Sequence, residues 1–371
     1  MKSREVIVVG AGPAGLVAAI AARKRGLDAT VLDARIPPID KPCGEGILPQ
    51  GVAALRALGI SLPAESTFPF RGIRFVDAER SARADFSGAT GFSMRRVKLH
   101  QFLIDRAVEA GVELRWGMRV VKIDDAKVTT TREAFSYRWL IGADGQNSHV
   151  RKWSGLDSVV AGSRRFGFCT HFGTAPWSNM TEVHWTKGCQ IFVTPMCGQE
   201  VGVAVLSRDS GLRMEGALRR FPALAEKLRG AKPTTREAGD TTSLKILPAV
   251  ARGRVALIGD ASGTVDALTG HGLSLSFQQA IPLADAMRQG DLALYRAAHK
   301  KISAVPVLMT RLMLLMSGSD WIRRRTIRLF QNSPGLFSRM LAIHTEAAPL
   351  SSVGIGEIAN FGWQFLKPQH S

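Results

Sequence analysis

Glycine and carboxylate residues follow short apolar runs that are typical of buried parallel strands. The first run, at 5–9, leads into a loop that holds Gly10, Gly12, Ala14 and Gly15, and a helical stretch follows. In such a loop the first glycine makes the tight turn, the second lets the backbone approach a pyrophosphate, and the third allows helix and strand to pack closely. Asp33 ends the next predicted strand, where a carboxylate can accept hydrogen bonds from ribose hydroxyls. The pattern predicts a dinucleotide-binding unit.

Two more predicted strands end in paired glycine and aspartate residues. One is followed by Asp144 and Gly145, and the other by Gly259 and Asp260. Ligands of open α/β sheets bind at the carboxyl ends of the strands, so these carboxylates can reach the hydroxyls of a polyol. Asp144 can instead brace its own loop. A glycine-rich turn at 270–272 then opens a long predicted helix.

These three sites, in this order, resemble the class A flavoprotein oxidoreductases. That family includes aromatic hydroxylases of the para-hydroxybenzoate hydroxylase type and the geranylgeranyl reductases. The resemblance implies that FAD binds with its ADP half on the glycine loop and Asp33, its pyrophosphate near Asp144 and its ribityl chain at Asp260. It also implies NAD(P)H as the electron donor. The amides at 270–272 are expected to face the flavin N1–C2=O edge, where negative charge develops on reduction.

Two elements are closer to the geranylgeranyl reductase-like branch than to the hydroxylases. The sequence Pro-Cys-Gly-Glu-Gly at 42–46 is similar to that branch's Pro-Cys-Gly loop beside the flavin, and Leu-Thr-Gly-His-Gly at 268–272 is similar to its Leu-Thr-Gly-Glu-Gly. Arg96 resembles the family's arginine at the head of a helix, although His100 stands where the family has aspartate.

The resemblance assigns residues from all of these segments to the FAD site. They are Gly10, Gly12, Ala14, Gly15, Asp33, Ala34, Arg35, Cys43, Gly44, Arg96, Val120, Val121, Asp144, Gly145, Gly259, Asp260, Gly270, His271, Gly272 and Leu273. The catalytic residue is left unknown. Cys43 and Glu45, on the loop expected near the flavin ring, and His271, expected to face solvent or substrate, are candidates for an acid or base.

Composition narrows the class of protein that these motifs belong to. The chain has 371 residues, of which 45% are hydrophobic and 22% charged, so a sizeable core is possible and wholesale disorder is excluded. A formal net charge of +18 suits anionic cofactors or lipids. Nucleic acid is not an expected partner, because no binding motif accompanies the charge. The four cysteines show no metal-site spacing and are interpreted as reduced thiols, so no metal is expected.

The elements that position these residues predict an α/β fold. A Rossmann-type FAD-binding domain, formed by 1–70, 92–160 and 243–290, is interleaved with an antiparallel β-sheet substrate domain formed by 71–91 and 161–242. The substrate domain is expected to cover the flavin ring and to form one wall of a pocket. Residues 291–371 are predicted to form a helical C-terminal cap that packs on the cofactor domain.

The C-terminal segment mixes basic and apolar residues at helical spacing. Arg323, Arg324, Arg325 and Arg328 stand beside Trp321 and several aliphatic residues, which favours either the cap alone or an additional peripheral contact with an anionic membrane. No segment is expected to reach the roughly 20 apolar residues of a spanning helix. The sequence therefore predicts a cytoplasmic protein that can lie on the inner face of the membrane.

Three functions remain open from the sequence. The first, which we favour at this point, is an NAD(P)H-dependent monooxygenase that hydroxylates a lipophilic aromatic or polyketide-like substrate with oxygen activated at flavin C4a. The second is a reductase or dehydrogenase acting on an isoprenoid or other alkene. The third is a flavin-bearing binding protein without turnover. Substrate identity and oligomeric state are not predicted.

Overall fold

A computed structural model describes residues 2–78, 80–158, 160–162, 164–352 and 354 of the chain. Its strands are β1 (Lys2–Val9), β2 (Ala29–Asp33), β3 (Gly46–Ile47), β4 (Phe68–Phe70), β5 (Gly72–Asp77), β6 (Arg80–Asp85), β7 (Gly91–Ser93), β8 (Glu113–Trp116), β9 (Val120–Asp124), β10 (Lys127–Thr130), β11 (Ala134–Gly142), β12 (Val160–Ala161), β13 (Arg165–Phe172), β14 (Thr181–Thr186), β15 (Cys189–Met196), β16 (Glu200–Ser207), β17 (Ala238–Thr242), β18 (Lys245–Ile246), β19 (Ala251–Arg252) and β20 (Val255–Leu257). The helices are α1 (Pro13–Lys24), α2 (Pro49–Ala57), α3 (Arg96–Glu109), α4 (His149–Trp153), α5 (Met214–Leu218), α6 (Pro222–Lys227), α7 (Gly272–Gln289), α8 (Leu292–Gly318), α9 (Asp320–Asn332) and α10 (Pro334–His344).

The first large sheet has a parallel centre with the order β20-β11-β1-β2-β8. Its strands are rich in valine, isoleucine and leucine because both faces are covered. Side chains such as Val6 and Val8 pack under α1, α3 and α7 on one face. Ile7 and Val9 alternate to the other face, where they join the cluster that includes β10 and β11.

The second large sheet has the order β17-β13-β16-β15-β14-β5-β6 and is antiparallel except for the β14–β5 pair. One face carries α5 and α6. The other face carries α9 and α10, whose aromatic residues meet those of the sheet. The ring centroid of Phe75 lies 5.5 Å from that of Trp185 and 5.1 Å from that of Phe337.

The sequence predicts that the C-terminal helices pack on the cofactor domain, but they pack on both large sheets. Each large sheet, together with the helices that cover it, is called a unit. Helix α8 contacts α7 and β19 of the first unit, whereas α9 and α10 lie on β6 of the second unit. The reason is that aromatic side chains of β5, β14, α9 and α10 form one buried cluster. Residues 355–371 of the predicted cap lie outside the described residues.

The expectation that no segment could span a membrane is also corrected. Helix α8 is long and apolar enough to do so by length and composition alone, and 22% of its most apolar stretch is buried within the protein. Pro306 is accommodated inside this helix.

The sequence predicts four surface arginines on this segment, but one of them, Arg323, is buried. Its side chain is 1% exposed, because it shares the inner face of α9 with Ile327 and Phe330 at helical spacing. The guanidinium lies 3.3 Å from the Asp77 carboxylate of β5 and 2.7 Å from the Asp320 carboxylate. An ion pair that is desolvated in this way fixes α9 on the sheet.

His271 does not face solvent or substrate, because α10 covers it completely. Its Nε2–H donates to the carbonyl oxygen of His344 at 2.9 Å, and the Nε2–H of His344 donates to the carbonyl oxygen of Thr269 at 3.1 Å. Burial lowers the pKa of His271 to about 4. Burial and then repulsion from His271 lower the pKa of His344 well below its ordinary value.

The two buried histidines make the fold sensitive to acid. Both are neutral in the folded state, whereas in the unfolded chain they titrate near the ordinary histidine pKa of about 6.5. The unfolded state therefore binds more protons below that pH, and the free energy of unfolding falls as pH drops from about 6.5 toward about 4. We expect His271→Gln to reduce the slope of this fall by up to about 1.4 kcal/mol per pH unit, measured by urea unfolding at a series of pH values.

The matched control for this measurement is His149→Gln, which alters an exposed histidine on α4. That variant should keep the wild-type slope. Equal slopes in all three proteins would contradict the neutral buried pair.

The buried ion pair of α9 gives a second expectation. Arg323→Ala leaves the Asp77 carboxylate buried without its partner, which should lower the free energy of unfolding by about 3 kcal/mol. Arg324→Ala removes an exposed arginine from the same helix and should cost less than about 0.5 kcal/mol. Chemical denaturation of both variants measures the difference, and similar values for the two would show that the pair does not anchor α9.

Candidate active site

The carboxyl ends of four parallel strands meet at one edge of the first sheet. Val9 of β1 pairs with Leu32 of β2 and with Gly142 of β11, and Gly142 pairs with Leu257 of β20. The loops that follow these residues therefore lie side by side. This alignment brings together the glycine loop, Asp33, Asp144 and Asp260, which are far apart in the sequence.

Hydrogen bonds with two side chains, Asp33 and His100, fix the glycine loop in place. Asp33 accepts hydrogen bonds from the backbone N–H of Ala11 and of Arg35, each at 2.8 Å. The Nε2–H of His100, from α3, donates to the Ala11 carbonyl oxygen at 2.8 Å. Sequence reasoning noted that His100 replaces an aspartate but missed this supporting role, because nothing local shows that α3 passes beneath the loop.

Asp144 is used within its own loop. Its carboxylate accepts hydrogen bonds from the hydroxyl of Ser148 at 2.5 Å and from the backbone N–H of His149 at 2.7 Å. These contacts support the start of α4, which is the bracing role that the sequence left open. Arg151, which sequence reasoning did not assign to the site, connects this loop to the next by donating to the carbonyl oxygens of Gln146 and Ala261.

Asp260 stands in a 3₁₀ turn directly after β20. The backbone N–H of Gly259 donates to the side-chain oxygen of Gln279 at 2.8 Å, which fixes the turn against α7. The Asp260 side chain lines a cavity between the two large sheets and is exposed to it. The surrounding protein desolvates the carboxyl and raises its pKa. Its position in the cavity wall allows it to accept hydrogen bonds from a ligand.

Glu45 is the most constrained residue of the Pro-Cys-Gly-Glu loop. Its backbone has φ of +59° and its side chain is 5% exposed. One carboxylate oxygen accepts the backbone N–H of Arg96 at 2.6 Å, and the other lies 2.5 Å from Nε2 of His171 on β13. The Nδ1 of His171 lies 3.1 Å from the hydroxyl of Thr235, which is half-buried. A continuous chain of polar groups thus runs from the cavity wall toward the surface.

Cys43 shares that loop but is not an ionised nucleophile or base. Burial, followed by the nearby Glu45 carboxylate, raises the pKa of the Cys43 thiol to about 11. Burial likewise raises the pKa of Cys169 on β13 to about 12. Both thiols are therefore neutral near pH 7. Of the two acid–base candidates on this loop, Glu45 is stronger than Cys43.

Arg96 is buried at the start of α3 and has an unused donor. Its Nη1 atom has no hydrogen-bond partner among the described residues. Arg95, the neighbouring alternative, contacts the Glu200 carboxylate at 2.7 Å and lies 3.9 Å from the Glu45 carboxylate. A buried cationic donor without a partner is costly unless a ligand satisfies it, so Arg96 marks an anion or acceptor site.

A cavity of about 490 Å³ lies between the two units and joins these features. The loop part of its wall contains Cys43, Gly44, Glu45, Asp260, Gly270, Gly272 and Leu273. The apolar part comes from the second sheet and from the C-terminal helices, and includes Phe75, Phe192, Met309, Leu312, Met313, Leu315, Met316, Phe330, Phe337, Met340 and Leu341.

The other residues assigned to the FAD site lie at the edges of this arrangement. Ala34 and Arg35 are exposed just after β2. Val120 is half-buried on β9, whereas Val121 is 46% exposed. Gly145 has φ of +83° in the loop before α4.

Comparisons with known proteins agree with this architecture. Menaquinone reductase of Mycobacterium tuberculosis is 28% identical over 319 residues, which cover 78% of each chain. The 12-dehydrotetracycline 5-monooxygenase/anhydrotetracycline 6-monooxygenase of Streptomyces rimosus is 29% identical over 75% of this chain and 61% of its own length. A geranylgeranyl bacteriochlorophyll reductase-like protein from Thermoplasma acidophilum superposes with a TM-score of 0.73 at 18% identity, over 99% of this chain and 97% of that one.

The structural likeness concerns the fold alone, whereas the family is shown by the sequence. Residues 3–289 match the FAD binding domain family, which is well over half of the chain. With three nucleotide-site loops at one sheet edge, the chain belongs to this family of class A flavoproteins and is an FAD-dependent oxidoreductase.

Proposed function

We propose that the enzyme reduces a carbon–carbon double bond in an isoprenoid or similarly lipophilic chain, with NAD(P)H as the source of electrons. The proposal rests above all on the Glu45–His171 pair, which places an acid–base group in the wall of a largely apolar cavity. Saturating an alkene requires a hydride and a proton. The bound FAD supplies the hydride chemistry, and the protein has to supply the proton and the shape of the pocket.

The glycine loop fits the FAD that the family implies. A Cβ atom added to Gly12 would meet nothing within 4 Å, so an open space lies in front of this backbone. Added at Gly10 or Gly15, it would collide with the carbonyl oxygen of Ala143 or of Gly10 itself. Helix α1 starts here without a side-chain cap among the described residues, and such a helix start favours a phosphate.

Three further features carry groups that can contact the flavin, the pyrophosphate or the ribityl chain of FAD. The unpartnered Nη1 of Arg96 can donate to the flavin or to the pyrophosphate. Asp260 can accept from the ribityl hydroxyls at the cavity wall. Helix α7 begins at Gly272 with no side-chain cap in the described region, so its first amides can stabilise negative charge on the flavin edge.

The apolar wall favours a long lipophilic substrate. Methionine, leucine and phenylalanine side chains from α8, α9 and α10 form most of this part of the cavity. Methionine adapts its shape to irregular chains, and an isoprenoid offers only apolar surface in return. The similarity to a menaquinone reductase over 78% of both chains supports the same substrate class.

Within this proposal the Glu45–His171 pair supplies the proton, and His171 connects the pair to Thr235. Nε2 of His171 is within hydrogen-bond distance of the carboxylate, and Nδ1 contacts the hydroxyl of Thr235. The proton that leaves Glu45 is therefore replaced along a chain that does not cross the apolar wall. Neutral Cys43 and Cys169 line the same region and exclude water rather than ionise.

A lipophilic-substrate monooxygenase is the second candidate. It was favoured by the sequence, and the similarity to the tetracycline-pathway monooxygenase supports it. The match covers 61% of the monooxygenase but 78% of the menaquinone reductase, so the support for the monooxygenase is weaker.

Anaerobic and aerobic assays separate the two activities. Under argon, with NADPH and a prenylated quinone, we expect a product that carries two additional hydrogens on carbon atoms of its prenyl chain, with non-exchangeable deuterium at those carbons when the reaction runs in D2O. We expect Glu45→Gln to lower this rate at least about tenfold because the amide keeps the hydrogen-bond acceptor but cannot give up a proton in the same way. FAD absorbance of the purified variant should be unchanged.

A double variant makes this test specific. If Glu45 and His171 act on one path, Glu45→Gln with His171→Gln should be no slower than the slower single variant. Additive losses would contradict the path. Oxygen-dependent hydroxylation of a phenolic, with no alkene reduction under argon, would replace the reductase with the monooxygenase.

The glycine loop gives an expectation for cofactor binding alone. Gly12→Val places its side chain in open space and in an extended backbone that valine adopts readily, so the protein should fold normally. The same side chain fills the space of the pyrophosphate, so FAD should be lost on purification, as measured by absorbance. Gly335→Val, which also enters open space but on α10, is the control and should remain yellow. Full FAD occupancy in Gly12→Val would refute this placement of the dinucleotide.

A further inference from the structure

Large apolar side chains are exposed where α8 ends and α9 begins. Leu312 and Leu315 are 39% and 57% exposed and lie one turn apart on α8, and Trp321 on the first turn of α9 is 52% exposed. The adjoining helix α8 is long and apolar enough to cross a membrane by length and composition, and only 22% of its most apolar stretch is buried. Scattered exposed leucines are ordinary, but a group at one helix corner indicates an interaction surface.

The same corner borders the substrate cavity. Leu312 and Leu315 belong to the cavity lining while also being exposed on the protein surface. Ile322 and Thr326 of α9 line the cavity from the other side of the corner. A lipophilic molecule can therefore pass from this surface to the cavity along apolar side chains.

Basic residues surround the apolar group. Arg311 and Arg324 are exposed, and Arg328 follows Arg324 on the same face of α9, opposite the buried face that holds Arg323. Desolvation lowers the pKa of Arg328, and repulsion from the neighbouring Arg80 and Arg325 lowers it further. Asp320 is the single acid between residues 301 and 345, and its carboxylate contacts Arg323.

We propose that this α8–α9 corner, formed by Arg311, Leu312, Leu315, Trp321, Arg324 and Arg328, docks on an anionic lipid bilayer and admits the substrate from it. Apolar side chains inserted at the headgroup level and cations beside lipid phosphates are the two contributions that bind a peripheral protein to such a surface. The substrate part rests on the proposed function, whereas the lipid contact does not.

Vesicle flotation tests the lipid contact without turnover. With vesicles of equal parts phosphatidylcholine and phosphatidylglycerol, we expect the full-length protein to float in low salt and to be released in high salt. The combined variant Arg311→Gln, Arg324→Gln and Arg328→Gln should bind at least about tenfold more weakly, because each cation near an anionic bilayer contributes to the attraction. Leu315→Ser with Trp321→Ser should also weaken binding, and both variants should keep their FAD.

A control with the same loss of charge separates this corner from the general positive charge. Arg56→Gln, Arg220→Gln and Arg236→Gln alter exposed arginines on other elements and should leave flotation within about twofold of wild type. Equal losses in the two triple variants, or a wild-type protein that stays at the bottom in low salt, would overturn the proposal. A lipid-free dimer that Leu315→Ser with Trp321→Ser converts to monomer would assign the corner to a second copy instead.

The outcomes also distinguish this inference from the proposed function. A protein that reduces the prenylated quinone in detergent but does not float refutes the docking surface alone. A protein that floats but reduces no alkene refutes the reductase alone.

Discussion

The site depends on the alignment of parallel strand ends at one edge of the first sheet. Because β1, β2, β11 and β20 run in the same direction and in register, their following loops come together without a long connection. Backbone groups then do much of the positioning: Gly10 donates to the Leu32 carbonyl oxygen, and Ile258 donates to that of Gly142. Any slip of register would move one loop away from the others, so the buried apolar strands that fix the register also fix the site.

The second sheet completes the site through polar contacts that cross between the two units. His171 of β13 contacts Glu45 of the loop after β2. Arg165 of the same strand lies 3.2 Å from Asp266, with both side chains almost fully buried, and Asp266 caps the turn before Gly270. Buried pairs of this kind add little net stability when their desolvation is counted, but they allow few alternative arrangements of the two units.

The sequence was most informative where chemistry and backbone are local. The strand–glycine–helix pattern, the positions of Asp33 and Asp260 at strand ends and the family itself could all be predicted, because each depends on a few neighbouring residues. His100, His171, Arg151 and Arg323 could not be placed, since their roles depend on which distant element lies against them. A run of arginines beside a tryptophan indicates surface, yet the helical period turned Arg323 inward to Asp77. The proposal of a reductase likewise rests on the contact between Glu45 and His171, which are 126 positions apart in the chain.

The contact between α10 and the start of α7 has a consequence for how the protein is made. The turn at Thr269–His271 exchanges two hydrogen bonds with His344, the last residue of α10. During synthesis on the ribosome, the loops after β1 and β2 emerge long before His344, so this turn lacks its partner until α10 has emerged. The glycine loop and Asp33 can thus form on the nascent chain, whereas the turn at 269–271 is completed only after α10 leaves the exit tunnel.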